Sequence, residues 1–251
     1  MRRTMVSEWV KLSTILSNKI LVAGAFLFPF VVVTLAATFG SVPDGPKDGA
    51  EMAEFVMGMS VVTSMLLGVV TAIGLTSEYT HNTIRPTYAA TPSRVRVIIS
   101  KIVVSTAVAL VAAAFTVSAA FLSGSTIYNS RGGNTHLGDP KTVTVLVCAI
   151  VLSALVSWFG FGMGLLIRNS PTTVSLLLLW PLLIEGLITV FLGLLNWDGA
   201  AKYLPYQAAI AASTRTPGTD ELGRPGGQIL FACVGIALIA IGTWLDRRRD
   251  A

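Results

Sequence analysis

The chain has 251 residues, of which 53% are hydrophobic and only 12% charged, with a mean hydropathy of +0.72, whereas soluble domains carry about 25% charge. It has too few polar residues to cover a water-facing surface, which excludes a soluble enzyme and makes lipid its solvent. The net charge of +5, from 18 Lys and Arg against 13 Asp and Glu, suggests nucleic acid as a partner only until the positions of those charges are read.

Residues 1–19 come first. Plotted at 100° per residue, Met5, Val6, Trp9, Val10, Leu12 and Leu16 share an arc of about 160°, while Ser7, Glu8, Lys11 and Asn18 face the other way. This pattern predicts an amphipathic helix lying on the membrane surface with Trp9 as its interfacial anchor. The alternative is a plain extension of the first span.

Six nearly charge-free stretches follow, at 20–39, 55–75, 102–122, 143–167, 172–195 and 229–245. Each approaches the roughly 20 residues that a helix needs to cross about 30 Å of hydrocarbon. The first exceeds the apolar core of a signal peptide, about 7 to 15 residues, and no A-x-A-like site follows it, so we expect it to be retained. The expected fold is an all-α integral membrane protein, one transmembrane domain over 1–251.

An even number of spans places both termini on one side, together with the loop 76–101 and the turn 168–171. That side then holds twelve of the Lys and Arg and four acids, a net +8. The opposite side holds six and eight, a net −2, and Glu185 lies in the membrane between them. Since cytoplasmic loops carry the excess of Lys and Arg, the charge is a topology signal with the termini cytoplasmic, and nucleic acid drops away as a partner.

The loop after the second span is the most informative stretch. It contains Glu78-Tyr79, then Asn82-Thr83-Ile84-Arg85, then Thr87-Tyr88, then Thr91-Pro92-Ser93-Arg94. Thr83 is a candidate N-cap for one or two helical turns over 84–90, and Thr91-Pro92 restarts the chain. Ile84, Arg85 and Tyr88 offer the aromatic and Arg groups that protein interfaces favour. Taken alone, the loop also reads as a solvated turn whose basic residues only set topology.

This run resembles the loop after the second span in permeases of the ABC transporter type-2 family, which carry a Glu-aromatic pair, a Gly-Thr-Ile/Leu-Arg/Lys run and a following Pro. Asn82 stands where Gly is usual, and Pro86 falls inside the expected short helix. The likeness extends to the architecture: an amphipathic helix, six spans, an outer element before the last span and a basic tail, Arg247 to Arg249. It implies a permease subunit of an exporter in the bacterial cell (inner) membrane. Its coupling helix, with Glu78, Tyr79, Thr83, Ile84, Arg85, Thr87 and Tyr88, docks on a cytoplasmic ATPase subunit, and a second permease subunit, identical or related, completes the pathway. The sequence itself lacks a G-x-x-x-x-G-K-[ST] run, so phosphate binding of the P-loop kind is not its own. No cofactor is expected on this chain; ATP and Mg belong to the partner.

Glu185, in Trp180-Pro181-Leu182-Leu183-Ile184-Glu185-Gly186, sits near the middle of the fifth span. A carboxylate at that depth faces protein or water. It reads either as a contact in the substrate pathway or as a buried polar link to a neighbouring helix. Gly160 and Gly164 form a G-x-x-x-G pair that serves close helix packing within the subunit or a dimer seam. The segment 196–228, with Trp197, Tyr203 and Tyr206, predicts a short interfacial or re-entrant helical element followed by an exposed loop over 214–227.

Candidates for chemistry are sparse. Cys148 and Cys233 lie in apolar runs and form no CxxC site; His81 and His136 fall on opposite sides of the membrane; no G-x-S-x-G motif occurs. No catalytic and no metal-binding residue is predicted. The competing reading is a non-transporting scaffold or immunity-type protein, and an intramembrane enzyme ranks third.

Overall fold

The computed structural model describes residues 2–81, 83, 94–136, 138, 140–214 and 221–249. Among these every regular element is helical, and six helices are long and apolar enough to cross a membrane. The elements are α1 (Arg2–Thr14), α2 (Leu16–Phe39), α3 (Gly49–Thr80), α4 (Arg94–Ser130), α5 (Pro140–Ile167), α6 (Ser170–Leu179), α7 (Glu185–Leu194), α8 (Pro205–Ala211) and α9 (Arg224–Arg249). A π-helical turn, Trp180–Ile184, joins α6 to α7 as one interrupted span, and a 3₁₀ turn, Asp198–Tyr203, precedes α8.

The helices outrun the apolar stretches, and local hydrogen bonding explains where they stop. Asp48 is an extended N-cap that accepts from the Glu51 backbone N–H at 2.8 Å. This starts α3 at Gly49 and draws Glu51 and Glu54 into its first turns, where negative charge suits the helix dipole. Within α4, 37 residues extend about 55 Å, well beyond the hydrocarbon. The sixth span begins at Arg224, so Arg224 to Gly227, expected in a loop, are helical. Ile15, in extended backbone, separates α1 from α2, so the amphipathic segment is a helix of its own.

The fifth span is broken for a recognisable reason. Pro181 lacks an N–H, and its ring crowds the carbonyl four residues back. One wider turn accommodates both defects and delivers Glu185 to the start of α7.

α3 and α5 form the buried centre, whereas fewer than a fifth of the residues in the core windows of α6–α7 and α9 are covered. α5 lies between α3 and α9, and glycines set how closely. A Cβ on Gly160 would stand 2.6 Å from the Gly68 carbonyl oxygen of α3, and one on Gly164 3.3 Å from the Leu75 and Thr76 side chains. One on Gly162 points the other way, 2.6 Å from Leu238 of α9. The G-x-x-x-G pair is therefore consumed by packing inside the subunit, as backbone approach at small residues allows.

Candidate functional site

α1, the last turns of α9, the end of α3, the start of α4 and the turn into α6 meet at one end of the bundle. Glu78 and Tyr79, successive residues about 100° apart around α3, engage different neighbours there.

Glu78 belongs to a buried charge cluster. Lys101 Nζ of α4 donates to Glu78 Oε1 at 2.6 Å and to Glu8 Oε2 at 2.7 Å. Lys11 Nζ of α1 donates to Glu78 Oε1 at 3.0 Å and to Glu8 Oε1 at 3.1 Å. Lys101, Glu8 and Glu78 are each no more than 6% exposed, so their desolvation is offset only while the set is complete. Burial pulls the Lys11 ammonium down, but Glu78 and then Glu8 outweigh it and hold its pKa above the ordinary lysine value.

Tyr79 joins a second cluster. Its hydroxyl donates to Asp246 Oδ1 of α9 at 2.8 Å, and Arg168 Nη2 donates to the same oxygen at 2.6 Å. The Arg168 guanidinium also lies 4.8 Å from the centre of the Tyr79 ring. Arg168 reaches this place from a left-handed turn, φ 57°, between α5 and α6. Asn169 then caps α6 by accepting from the Thr172 N–H at 3.1 Å. Thr76 and Ser170 hydroxyls meet at 2.7 Å beside it.

Past the end of α3, the Thr83 N–H donates to the Glu78 carbonyl at 3.0 Å, which ties Thr83 back to that helix. Ile84, Arg85, Thr87 and Tyr88, with the expected short helix over 84–90, lie outside the described residues.

Trp9 is 54% exposed, as an interfacial anchor requires, along with Val6 and Val10. The polar side of α1 differs from expectation: Glu8 and Lys11 turn inward because Lys101 and Glu78 offer partners that water would otherwise replace.

Glu185, far from this end of the bundle, is fully buried. Its Oε1 accepts from the Tyr206 backbone N–H and from Trp180 Nε1, and its Oε2 from the Gln207 backbone N–H, all at 2.9 Å. Tyr206 and Gln207 are the second and third residues of α8, which has no side-chain cap from its own segment. The carboxylate of the interrupted span is thus the N-terminal cap of the outer helix, in the place an Asp or Ser would ordinarily fill. Gln207 Nε2 adds a bond to Thr189 of α7 at 2.9 Å. Trp197 and Tyr203 on the 3₁₀ turn are exposed, in keeping with an interfacial element.

Sequence reasoning missed the partners Glu8, Lys101, Arg168 and Asp246. Glu8 reads as part of the polar face of the amphipathic helix and the other three as topology charges alone, and no periodic signal links Lys101 to a residue 93 positions away. The available hint is that acids are few among the basic residues of the loop 76–101, the turn 168–171 and the two terminal segments.

Six apolar helices, with charges gathered at one end and satisfied internally, define a multi-pass membrane protein. A family model described as ABC-2 family transporter protein matches residues 4–157, more than half of the chain, and the chain belongs to that family: it is an ABC permease. The match runs from α1 into α5, so it includes the Glu78 cluster and the loop but not Glu185 or α8. No curated protein and no solved structure matches the chain. Permeases of this family are membrane transport subunits that associate with an ATPase subunit.

Proposed function

We propose that the chain is the transmembrane subunit of an exporter in the bacterial cell (inner) membrane, moving a small or amphiphilic molecule such as a drug, antibiotic, peptide or lipid outward. Both termini are cytoplasmic in this reading, since the end where they meet carries the basic excess. The loop 76–101 docks on a cytoplasmic ATPase through Ile84, Arg85, Thr87 and Tyr88, and ATP and Mg are bound by that partner. A second permease subunit, identical or related, encloses the pathway against the uncovered apolar faces of the spans.

The observation that supports this best is the anchoring at the root of the loop. Through Glu78 and Tyr79, α3 is bonded to α1, α4, α9 and the turn before α6. A displacement of the loop by a partner is therefore delivered to most of the bundle at once. Glu185 serves the pathway by positioning the outer helix α8, since its carboxylate oxygens are occupied by protein donors.

The test is reconstitution with a candidate ABC ATPase subunit. Ile84→Asp with Arg85→Asp is expected to abolish the complex, or to uncouple ATP hydrolysis from transport, while leaving the folded permease in the membrane. A complex and coupled hydrolysis unchanged by this pair would refute docking through the loop. Failure of any ATPase to bind would favour a scaffold.

A further inference from the structure

A groove of about 460 Å³ runs between α1, α2 and α4 on the outer surface of the spans. On α2 its side is Lys19, Val22, Ala23 and Phe26, spaced as one helix face at i, i+3, i+4 and i+7. Val108 and Phe115 of α4 form the opposite side, and Val70 of α3 the floor. Phe26 and Phe115 stack with ring centroids 5.2 Å apart and close one end. Lys19 and Val108 each stand seven residues earlier in their helices, about 10 Å away along the axis, and α1 crosses the groove there with Trp9 and Leu12. Ala23 is exposed and leaves room halfway along. Leu27 and Val111, on the same surface of the two spans, are exposed apolar side chains, as hydrocarbon contact requires.

The end under α1 has a definite electrostatic character. Lys19 is exposed, and its ammonium has no hydrogen-bond or ion-pair partner among the described residues. The exposed Trp9 indole N–H has none either. Glu8, the acid of α1, is taken by Lys11 and Lys101, and none of the described residues lining the groove is acidic.

Two free donors at the mouth of an apolar slot match one class of ligand. We propose that the groove holds an anionic phospholipid, its phosphate between Lys19 and Trp9 and one acyl chain laid over Ala23 as far as the Phe26–Phe115 stack. The phosphate oxygens accept from both donors, and the ammonium bond is charge-assisted. The chain is buried against valine and phenylalanine, which is favourable, while the Lys19 stem lies on apolar surface with its head at the interface. A zwitterionic lipid would offer the same chain but bring its own cation to the lysine. A second copy of this chain is the poorer occupant: meeting this face across a two-fold axis, it would supply another Lys19 and no acid, enclosing two ammonium groups without a counter-charge. The site goes beyond transport and does not rest on the exporter reading.

Native mass spectrometry of the purified full chain tests this, with titrations of phosphatidylglycerol and, separately, of phosphatidylcholine carrying the same acyl chains. The first phosphatidylglycerol is expected to bind about fivefold more tightly than the first phosphatidylcholine, the worth of one basic residue beside an anionic lipid. Lys19→Gln should erase that preference. Ala23→Trp fills the groove from an exposed position and should weaken the first adduct of both lipids about tenfold; it keeps the test open if Lys19→Gln fails to fold. Equal first affinities for the two lipids, a preference unmoved by Lys19→Gln, or a first adduct unmoved by Ala23→Trp would each overturn the site. A dimer that dissociates in Ala23→Trp would give the groove to a second copy and overturn it as well.

Discussion

Glu185 gives the sharpest test of how the outer element is held. In Glu185→Ala one buried and two partly buried donors lose their acceptor: the Tyr206 backbone N–H, and the Gln207 backbone N–H and Trp180 Nε1. A buried donor left unsatisfied costs about 1–3 kcal/mol, and loss of a helix cap alone costs about 0.5–2 kcal/mol. These overlap, since two of the donors are the uncapped groups, so the expected loss is about 3 kcal/mol. Glu185→Gln keeps one acceptor oxygen but presents an amide N–H₂ to a donor on the other side, and should lose about 1–2 kcal/mol. The assay is hydrogen exchange resolved to α8, with thermal unfolding in the same detergent. Local destabilisation of about 2 kcal/mol speeds exchange at Tyr206 and Gln207 about thirtyfold, with α3 and α5 unaffected. Transport should fall in both variants through misplacement of α8. If exchange in α8 is unchanged in Glu185→Ala, or if Glu185→Gln abolishes transport with α8 fully protected, the carboxylate acts on something other than the outer helix and the capping argument fails.

Lys101→Met leaves Glu8 and Glu78 facing each other without their shared buried cation and should destabilise the protein by about 3–5 kcal/mol; adding Glu8→Gln should recover part of this, and a melting series of the single and double variants reads the coupling. Gly160→Ala forces α3 and α5 apart, because its Cβ meets the Gly68 carbonyl at 2.6 Å, and should cost about 1–3 kcal/mol. Gly58→Ala, with no atom within 4 Å of the added Cβ, should be neutral or stabilising by about 0.5–1 kcal/mol in the same melt. The raised pKa of Lys11 means that its charged form is favoured by folding. Its contribution is complete below the ordinary lysine pKa of 10.5 and is lost as pH climbs through the higher folded value. Lys11→Gln should remove this alkaline loss of stability, and a pH profile unchanged by the substitution over about two units above the ordinary lysine value would contradict the assignment.

The spans were legible because crossing hydrocarbon depends on residue content over a window, which any apolar run declares. Their ends were not, because caps decide them: a single acceptor at Asp48 carries α3 back to Gly49, ahead of the apolar stretch at 55. Glu185 declared a polar contact within the fifth span, but not the break at Pro181. The partners were hidden, since the groups that satisfy Glu185 are mostly backbone N–H of residues some twenty positions on, and a backbone donor has no side-chain signature. The Glu-aromatic pair at Glu78-Tyr79 drew notice as part of a docking loop. Its observed bonds run into the bundle, to helices distant in sequence, which no local pattern encodes. Gly160 and Gly164 spoke for close packing without naming the partner, because α3 and a second subunit make the same demand for small residues.

α3 is one uninterrupted helix of 32 residues, about 48 Å from its Asp48 cap to the Thr80 root of the loop, whereas the fifth span has a joint at Trp180–Ile184. The first is a lever and the second a linkage. Tilting a rod of that length by about 5° at the loop end displaces its far end by about 4 Å, enough to open or close a passage with no change in any backbone angle along it. A jointed span subjected to the same push bends at Pro181 and swings only the half that carries Glu185, and with it the cap of α8. Under the docking proposed above, one stroke would be converted into two unequal movements at the opposite end of the bundle.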